Sequence, residues 1–275
     1  CTYCILQAFL NKPVITVHAN LDEILEQVWQ HTAEQPNTLF RVGTGEHSDS
    51  LALDHILGIK AHVIRFFAKL PNALLELKTK SSNVDHLLYL PHGGKTVISW
   101  SVNPESIVEN QEHKTARLNE RLEAARKVSD AGYKVAFHFD PMIHYPDWEK
   151  GYQELVEQIL DAVPSDRIAW VSLGTLRYIS SLKSVVDERF PNSRVFLGEF
   201  VTGEDGKMRY LKKIRQRLFR NVQQKVTQLA PQIPTYLCME NSSVWKNTMP
   251  HQPQTAVDVE SRIAGSLQQR FPIEA

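Results

Sequence analysis

The chain has 275 residues, which is enough for one large or two small domains with a sizeable buried core. Its hydrophobic share of 42% and its charged share of 23% are ordinary for a globular protein. Because the formal net charge is zero, the composition excludes a global attraction to nucleic acid or anionic lipid, and any basic surface must be local. No apolar run approaches the roughly 18–20 residues of a membrane helix, and the first residues lack the pattern of a signal peptide.

The cysteines are few, and one of them opens the sequence. Three cysteines, Cys1, Cys4 and Cys238, are too few for a disulfide scaffold, so they predict a protein of the reducing cytoplasm. No membrane partner is expected, because no apolar run is long enough for a membrane helix. A chain that begins with Cys rather than Met is not expected to start at a native translation start.

Apolar β-rich runs alternate with helical patterns along the chain. In chain order, the patterns predict a strand over 14–17, a helix over 21–31, a strand over 38–42, a helix over 50–70, strands over 74–80 and 96–102, a helix over 112–131, a strand over 134–139, a helix over 148–163 and a strand over 168–173. A less regular region follows, with a strand over 195–201, a long basic helix over 208–229 and a last strand over 234–240.

The spacing of the strands leaves room for crossover helices, which is typical of parallel βαβ units. We therefore predict an α/β fold, a partial or full (β/α) barrel of the TIM type, whose chemistry lies at the carboxyl ends of the strands. Residues 1–190 would form this barrel, and residues 191–275 would form a C-terminal α+β cap.

Polar residues follow several of the predicted strands. Gly45 and Glu46 follow one strand, Lys80 ends another, and Ser101 and Asn103 share one face at the end of a third. A glycine lets the backbone approach a ligand closely, and a carboxylate there binds an ammonium group. A simple turn with an exposed acid, and a solvated lysine at a strand end, are the structural alternatives.

The opening Cys1-Thr2-Tyr3-Cys4 places two thiols three residues apart, close enough to bind one metal or cluster. By itself, this spacing leaves zinc, an iron–sulfur cluster and a redox dithiol open. The aromatic residue before Cys4 matches the last two thiols of Cys-x3-Cys-x-aromatic-Cys, the radical S-adenosylmethionine signature. On this resemblance, the first cysteine lies four residues upstream of Cys1, and we expect the sequence to be truncated inside the cluster-binding loop, with the first strand missing.

Six segments in the same order resemble spore photoproduct lyases, members of the radical S-adenosylmethionine enzymes, over most of the chain. These segments are residues 3–7, 17–24, 80–88, 99–103, 121–133 and 148–155. The resemblance implies a [4Fe–4S] cluster that cleaves S-adenosylmethionine, so that a 5′-deoxyadenosyl radical abstracts hydrogen from a cross-linked thymine lesion in DNA. It also implies an electron donor such as flavodoxin or ferredoxin.

The resemblance also assigns roles to individual residues. Cys1 and Cys4 would bind the cluster, and Tyr3 would pack beside the adenine of the cofactor. Gly45 and Glu46 would contact the methionyl amine. Contacts to the ribose or carboxylate of S-adenosylmethionine would come from Lys80, Ser101 and Asn103.

Two further groups of residues suggest ligand contacts. His138 and Asp140 share a strand face and, with His144, have the side chains of a zinc hydrolase; polar groups of a substrate pocket are the interpretation we prefer. A basic cluster, with Tyr210 interleaved, suits contact with DNA phosphates, although a solvated helix face is the alternative. Its members assigned to nucleic acid are Arg209, Lys212, Lys213 and Arg215.

One position departs from the family. Spore photoproduct lyases have a hydrogen-donating cysteine where this chain has Gly43, and no cysteine lies near that position. Cys238 is a candidate replacement, and an inert buried cysteine is the alternative. Two other hypotheses therefore remain: a radical enzyme for RNA, a nucleotide or a peptide, and a nucleic-acid-binding relative that has lost catalysis.

Overall fold

The computed structural model describes residues 1–10, 14–44, 48–250 and 256–270. Its centre is a parallel six-stranded sheet that curls into a half-barrel, and its strands in spatial order are β1 Phe40–Thr44, β2 Ala73–Thr79, β3 Thr96–Ser101, β4 Lys134–Met142, β5 Ile168–Thr175 and β9 Thr235–Leu237. A small antiparallel sheet has the order β6-β8-β7, with β6 Arg177–Tyr178, β7 Phe200–Thr202 and β8 Met208–Tyr210. The predicted α/β partial barrel is thereby confirmed.

Helices connect the parallel strands because a parallel pair requires a crossover. In chain order the helices are α1 Leu6–Phe9, α2 Leu21–Ala33, α3 Asp54–Leu57, α4 Ile59–Phe67, α5 Glu105–Gln111, α6 Leu118–Asp130, α7 Trp148–Ala162, α8 Ser180–Arg189, α9 Lys212–Leu229, α10 Ser242–Lys246 and α11 Ala256–Arg270. α4 packs on β2, α6 packs on β3 and β4, and α9 packs on β5 and α7. Strands β2 to β5 are buried along nearly their whole length, which explains their continuous apolar sequences.

Several predicted elements were wrong in type or extent. The predicted strand over 195–201 is formed only from Phe200, at the start of β7. Residues 14–17 form no strand: Val14, Ile15 and Val17 are exposed, and no strand in the described part of the chain pairs with them. The predicted helix over 208–229 begins only at Lys212, because β8 pairs with β6 and β7. The predicted helix over 112–131 begins at Leu118, where Glu120 Oε2 accepts a hydrogen bond from the backbone N–H of Arg117 at 2.7 Å.

The C-terminal region joins the half-barrel directly. β9 pairs with β5 although it lies beyond residue 190, and the division of the chain near that residue stays a prediction. α11 contacts two strands of the large sheet, the edge strand β1 and the strand β5. Arg270 Nη2 donates to the carbonyl of Ile168 at the start of β5, at 2.9 Å, and Glu260 Oε1 pairs with Arg41 Nη2 on β1 at 2.5 Å. Across the described ranges, none of the helices has the length and apolar character needed to span a bilayer.

Candidate functional site

The candidate site lies where the parallel strands end, hereafter the carboxyl edge. Phe139 packs against Tyr152 of α7, with 6.2 Å between ring centroids, so its neighbours His138 and Asp140 face the opposite side, into the half-barrel. Ser101 of β3 is the register partner of His138. Polar residues that are far apart in sequence therefore meet at one edge, as the predicted fold requires.

A buried carboxylate gathers several of these residues. Glu112 follows α5 and is almost fully buried. Its Oε1 lies 3.3 Å from Lys80 Nζ and accepts a hydrogen bond from Asn103 Nδ2 at 3.0 Å. The Tyr3 hydroxyl donates to the same oxygen, and Arg121 Nη2 lies 2.6 Å from Oε2. The structure thus brings together Tyr3, Lys80 and Asn103, three of the residues assigned to the cofactor from sequence.

The ionisation of Glu112 depends on the groups that surround it. Burial opposes ionisation of Glu112, but Lys80 and Arg121, with hydrogen bonds from Tyr3 and Asn103, lower its pKa to about 2. Burial lowers the pKa of Lys80, and the negative charge of Glu112 partly offsets this effect. Burial and the neighbouring Glu112 raise the pKa of Tyr3 well above its ordinary value. At neutral pH, Glu112 is therefore an anion between two cations.

The Cys1–Cys4 turn is attached beside this cluster. The Thr2 N–H donates to the carbonyl of Gln111 at 2.7 Å, and Gln7 Nε2 donates to the carbonyl of Thr2 at 2.8 Å. The Cys4 N–H donates to the carbonyl of Cys1 at 3.3 Å, and both cysteines are free thiols and partly exposed. Thiolates are the usual ligands of iron–sulfur clusters, so this donor set fits two cluster ligands. Among the residues with a described placement, no group of three or more His, Cys, Asp or Glu could hold a metal ion.

His138 and Asp140 bind separate partners inside the half-barrel. His138 Nε2 lies 2.6 Å from Glu76 Oε1, and Arg41 Nη1 lies 3.1 Å from the other oxygen of Glu76. Asp140 Oδ2 lies 3.3 Å from Arg177 Nη2. His144 lies elsewhere, with its backbone N–H bonded to the Tyr210 hydroxyl at 3.1 Å. His138 is thus engaged with Glu76 and Asp140 with Arg177, and these contacts do not favour the zinc-hydrolase alternative.

Asp140 also lies close to Gly174 of β5. A Cβ atom at Gly174 would lie 2.7 Å from Asp140 Cγ, which is closer than carbon atoms approach. Cys238 follows β9 and contacts Arg177, the partner of Asp140. Arg177 Nη1 donates to the Cys238 carbonyl at 2.7 Å, and Arg177 Nη2 lies 4.0 Å from its Sγ. Burial and the neighbouring Asp140 raise the pKa of the Cys238 thiol, so the sulfur stays protonated at neutral pH.

The remaining predicted site residues fall into three groups. Gly45 and Glu46 lie outside the described residues. Ser101 is buried, and its carbonyl accepts a hydrogen bond from Arg121 Nη1 at 2.9 Å. Gly43, where the family was expected to have its cysteine, is exposed on β1.

The basic cluster divides between exposed and buried side chains. Lys212 and Lys213 are exposed at the start of α9. Arg209 pairs with Asp205 at 2.6 Å, and the Arg209 side chain is only 11% exposed. Arg215 is buried and its Nε lies 3.0 Å from Glu240 Oε1. This corrects the sequence expectation for Arg215, because its guanidinium is occupied inside the protein.

Sequence reasoning missed Glu112, Arg121, Glu76 and Arg177. One signal was available for Arg121: it lies between Leu118 and Leu122 on the apolar face of α6, where a charged side chain needs a buried partner. Glu76 similarly interrupts the apolar sequence of β2. For Glu112 and Arg177, no local pattern pointed to a role.

Comparison with known proteins agrees with this geometry. The family model described as "Spore photoproduct lyase" matches residues 1–236. The chain belongs to the spore photoproduct lyase family. Curated members from Geobacillus sp. and Bacillus subtilis are 33% and 32% identical over 202 residues, which cover 72% of this chain. The chain spans 59% of the length of these two relatives.

Solved structures of the family show the same fold. A spore photoproduct lyase mutant with bound AdoMet and dinucleoside spore photoproduct matches with a TM-score of 0.79 and 30% identity, covering 86% of this chain and 73% of that chain. A spore photoproduct lyase complexed with dinucleoside spore photoproduct matches with the same score at 29% identity and the same coverage. Streptococcus suis SuiB bound to S-adenosylmethionine, at 14% identity and a TM-score of 0.54, covers 94% of this chain and 51% of its own and is similar in fold alone.

Proposed function

We propose that this chain belongs to a radical S-adenosylmethionine enzyme that repairs a cross-linked thymine lesion in DNA. The observation that carries the proposal is the meeting of Tyr3, Lys80 and Asn103 at Glu112, because these residues come from three segments and lie beside the Cys1–Cys4 turn. The family relatives with bound AdoMet and dinucleoside spore photoproduct support it.

The carboxyl edge would hold the cofactors. Cys1 and Cys4 would supply two thiolates to a [4Fe–4S] cluster, which when bound supplies the electron that cleaves S-adenosylmethionine. Lys80 and Asn103 would bind the polar groups of S-adenosylmethionine, as would Ser101 beside them. The Glu112 anion holds the Lys80 ammonium and the Asn103 amide in place, so the site is organised before a ligand enters.

The interior and its rim would hold the DNA substrate. His138 and Asp140 face into the half-barrel and would contact a thymine ring that has been moved out of the stack. Tyr210 binds the loop after β4 at the carboxyl edge, and the exposed Lys212 and Lys213 follow it closely in sequence. These two lysines would neutralise DNA phosphates near the entrance.

Cys238 is our candidate for the hydrogen donor. It lies at the carboxyl edge next to Asp140 and Arg177, and a protonated thiol is the form that donates a hydrogen atom. A low-potential electron donor such as flavodoxin or ferredoxin completes the proposal. Location in the cytoplasm stays a prediction from the cysteine content.

The test is an assay of 5′-deoxyadenosine on protein expressed from its complete gene, so that any residues preceding Cys1 are present. The protein is reconstituted without oxygen, reduced, and incubated with S-adenosylmethionine, with and without ultraviolet-damaged DNA. Cys4→Ala is the matched variant that should lose the cluster and the product. We expect product formation that damaged DNA stimulates.

The other outcomes separate the alternatives. Product that damaged DNA does not stimulate would keep the radical chemistry and assign it to another substrate, such as RNA, a nucleotide or a peptide. No product from protein that carries an intact cluster would reject the enzyme and favour a nucleic-acid-binding relative.

A further inference from the structure

The half-barrel contains an ion-pair network that lies apart from the Glu112 cluster. Glu76 of β2 and His138 of β4 reach across β3, where the small side chains of Ser99 and Ser101 leave room for this contact. Arg41 pairs with the second oxygen of Glu76 and also donates to the Tyr236 hydroxyl at 3.1 Å. Both oxygens of Glu76 are therefore engaged, and its carboxylate has one fixed orientation.

The protonation states follow from these contacts. Burial opposes ionisation of Glu76, but His138 and Arg41 lower its pKa to about 2. Burial and the positive charge of Lys78 lower the pKa of His138, although Glu76 and Asp140 act in the opposite direction. At neutral pH, Glu76 is consequently an anion balanced by Arg41, and His138 is a neutral imidazole. A neutral imidazole that faces a carboxylate through Nε2 carries its proton on Nε2 and a lone pair on Nδ1.

The lone pair of His138 has no partner within the chain segments that the structure describes. His138 is level with Ser101, whereas Glu76 is level with Val97, four residues nearer the amino end of β3. Because the two ring nitrogens lie on opposite sides of the imidazole, Nδ1 is turned away from Glu76. The His138 side chain is 7% exposed, and it faces the interior of the half-barrel.

We propose that His138 selects thymine by accepting a hydrogen bond at Nδ1 from the imide N–H of a thymine ring, with Glu76 as the positioning residue that fixes the tautomer. This inference rests on the proposed function, which supplies the thymine ring. Thymine presents an N–H at ring position N3, whereas cytosine presents a lone pair there. An imidazole held as an acceptor therefore favours thymine, because a site built for a hydrogen bond rejects a ligand that cannot make it.

Binding of methylated ligands tests the hydrogen bond. Calorimetry would compare dinucleoside spore photoproduct with two analogues, each methylated at N3 of one thymine ring, on reconstituted protein without reductant. For one analogue, we expect binding to the unmodified protein to weaken about tenfold, which is the upper range for one lost neutral hydrogen bond. In His138→Phe, a variant of similar ring size without ring nitrogens, the same methylation should change affinity less than about twofold.

Nitrogen NMR of protein labelled with ¹⁵N-histidine tests the tautomer independently of ligand and activity. We expect His138 to show a protonated Nε2 and an unprotonated Nδ1, and Glu76→Gln to change this pattern because an amide can donate to Nε2. His138→Phe identifies the signals by removing them. A His138 ring protonated at Nδ1 in the unmodified protein would overturn the inference.

The binding experiment distinguishes two kinds of failure. If the unmodified dinucleoside does not bind to protein that binds S-adenosylmethionine, the proposed substrate is wrong and the inference fails with it. If the dinucleoside binds, and N3 methylation has no effect or the same effect in the unmodified protein and in His138→Phe, the proposed function stands and the role of His138 is rejected.

Discussion

Glu112 and Glu76 are both buried, and both have a pKa of about 2, but their partners differ. Glu112 is held by two cations and two neutral donors, and the N-terminal segment supplies one of these donors. Glu76 is held by one arginine and by the neutral imidazole of His138. The donors around Glu112 are all bound to its carboxylate, so Glu112 holds together the chain segments that carry them. A carboxylate that orients an imidazole leaves a ring nitrogen available for a ligand.

Removing the anchor should have the largest effect. In Glu112→Ala, the buried cations Lys80 and Arg121 lose their anion, and we expect the free energy of unfolding to fall by about 3–5 kcal/mol. Chemical denaturation measures this change. Glu109→Ala, on the exposed face of α5, the helix that precedes Glu112, is the control and should change stability by less than about 0.5 kcal/mol. A similar small change in Glu112→Ala would contradict the anchoring role.

Acid should weaken both carboxylate sites. The pKa of each carboxyl group is lowered from 4.5 to about 2 in the folded protein. The contribution of each group to the free energy of unfolding is therefore fully present above pH 4.5 and is lost as the pH falls toward 2. Such a lowering corresponds to roughly 3 kcal/mol for each group at neutral pH. Denaturation curves between pH 6 and pH 2 should show stability falling most steeply below about pH 4.5. In Glu76→Gln the fall should be shallower, and an unchanged pH profile would argue against the ion pairs of Glu76.

Removing Arg41, the arginine that pairs with Glu76, should lower the stability by an intermediate amount. Arg41→Met leaves Glu76 paired with His138 alone, and we expect a loss of about 2 kcal/mol, because the Arg41 side chain is 19% exposed and solvent screens part of the interaction. The imidazole should then take up a proton more readily, which an NMR titration of His138 measures as a raised pKa. Arg126→Met, which breaks only half-exposed pairs on α6, is the matched control.

The ion pair between Glu260 of α11 and Arg41 of β1 should contribute least to the free energy of unfolding. The Glu260 side chain is 50% exposed, so Glu260→Gln should lower the free energy of unfolding by about 0.5 kcal/mol or less. Thermal or chemical denaturation of Glu260→Gln and of Arg41→Met, under the same conditions, compares the stability lost in each variant. If Glu260→Gln were as destabilising as Arg41→Met, the effect of Arg41 would come from α11 rather than from Glu76.

The strands of the half-barrel could be predicted because local patterns determine them. Residues 74–80 and 168–173 were predicted within two residues of the observed bounds of β2 and β5, since buried parallel strands are apolar throughout. Residues 14–17 have the same apolar character without a neighbouring strand in the described chain, and they stay unpaired. A strand depends on its neighbours as well as on its own composition.

The candidate site could be predicted only in part. Lys80, Ser101 and Asn103 were found because they follow strands, and the fold brings strand ends together. Glu112 was missed because its partners lie up to 109 residues away and their approach depends on the folded chain. Arg215 was misassigned because a basic helix shows its charges in sequence, whereas the partner Glu240 comes from a later segment.

The contact between Gly174 and Asp140 has a consequence for how the sequence can vary. A side chain at residue 174 should displace the carboxylate of Asp140, because even the methyl group of alanine would collide with it. Asp140 could shift only by disturbing its pair with Arg177, which also binds the carbonyl of Cys238. The absence of a side chain at residue 174 therefore preserves the contacts that join Asp140, Arg177 and Cys238, and sequence variation at this position should be disfavoured.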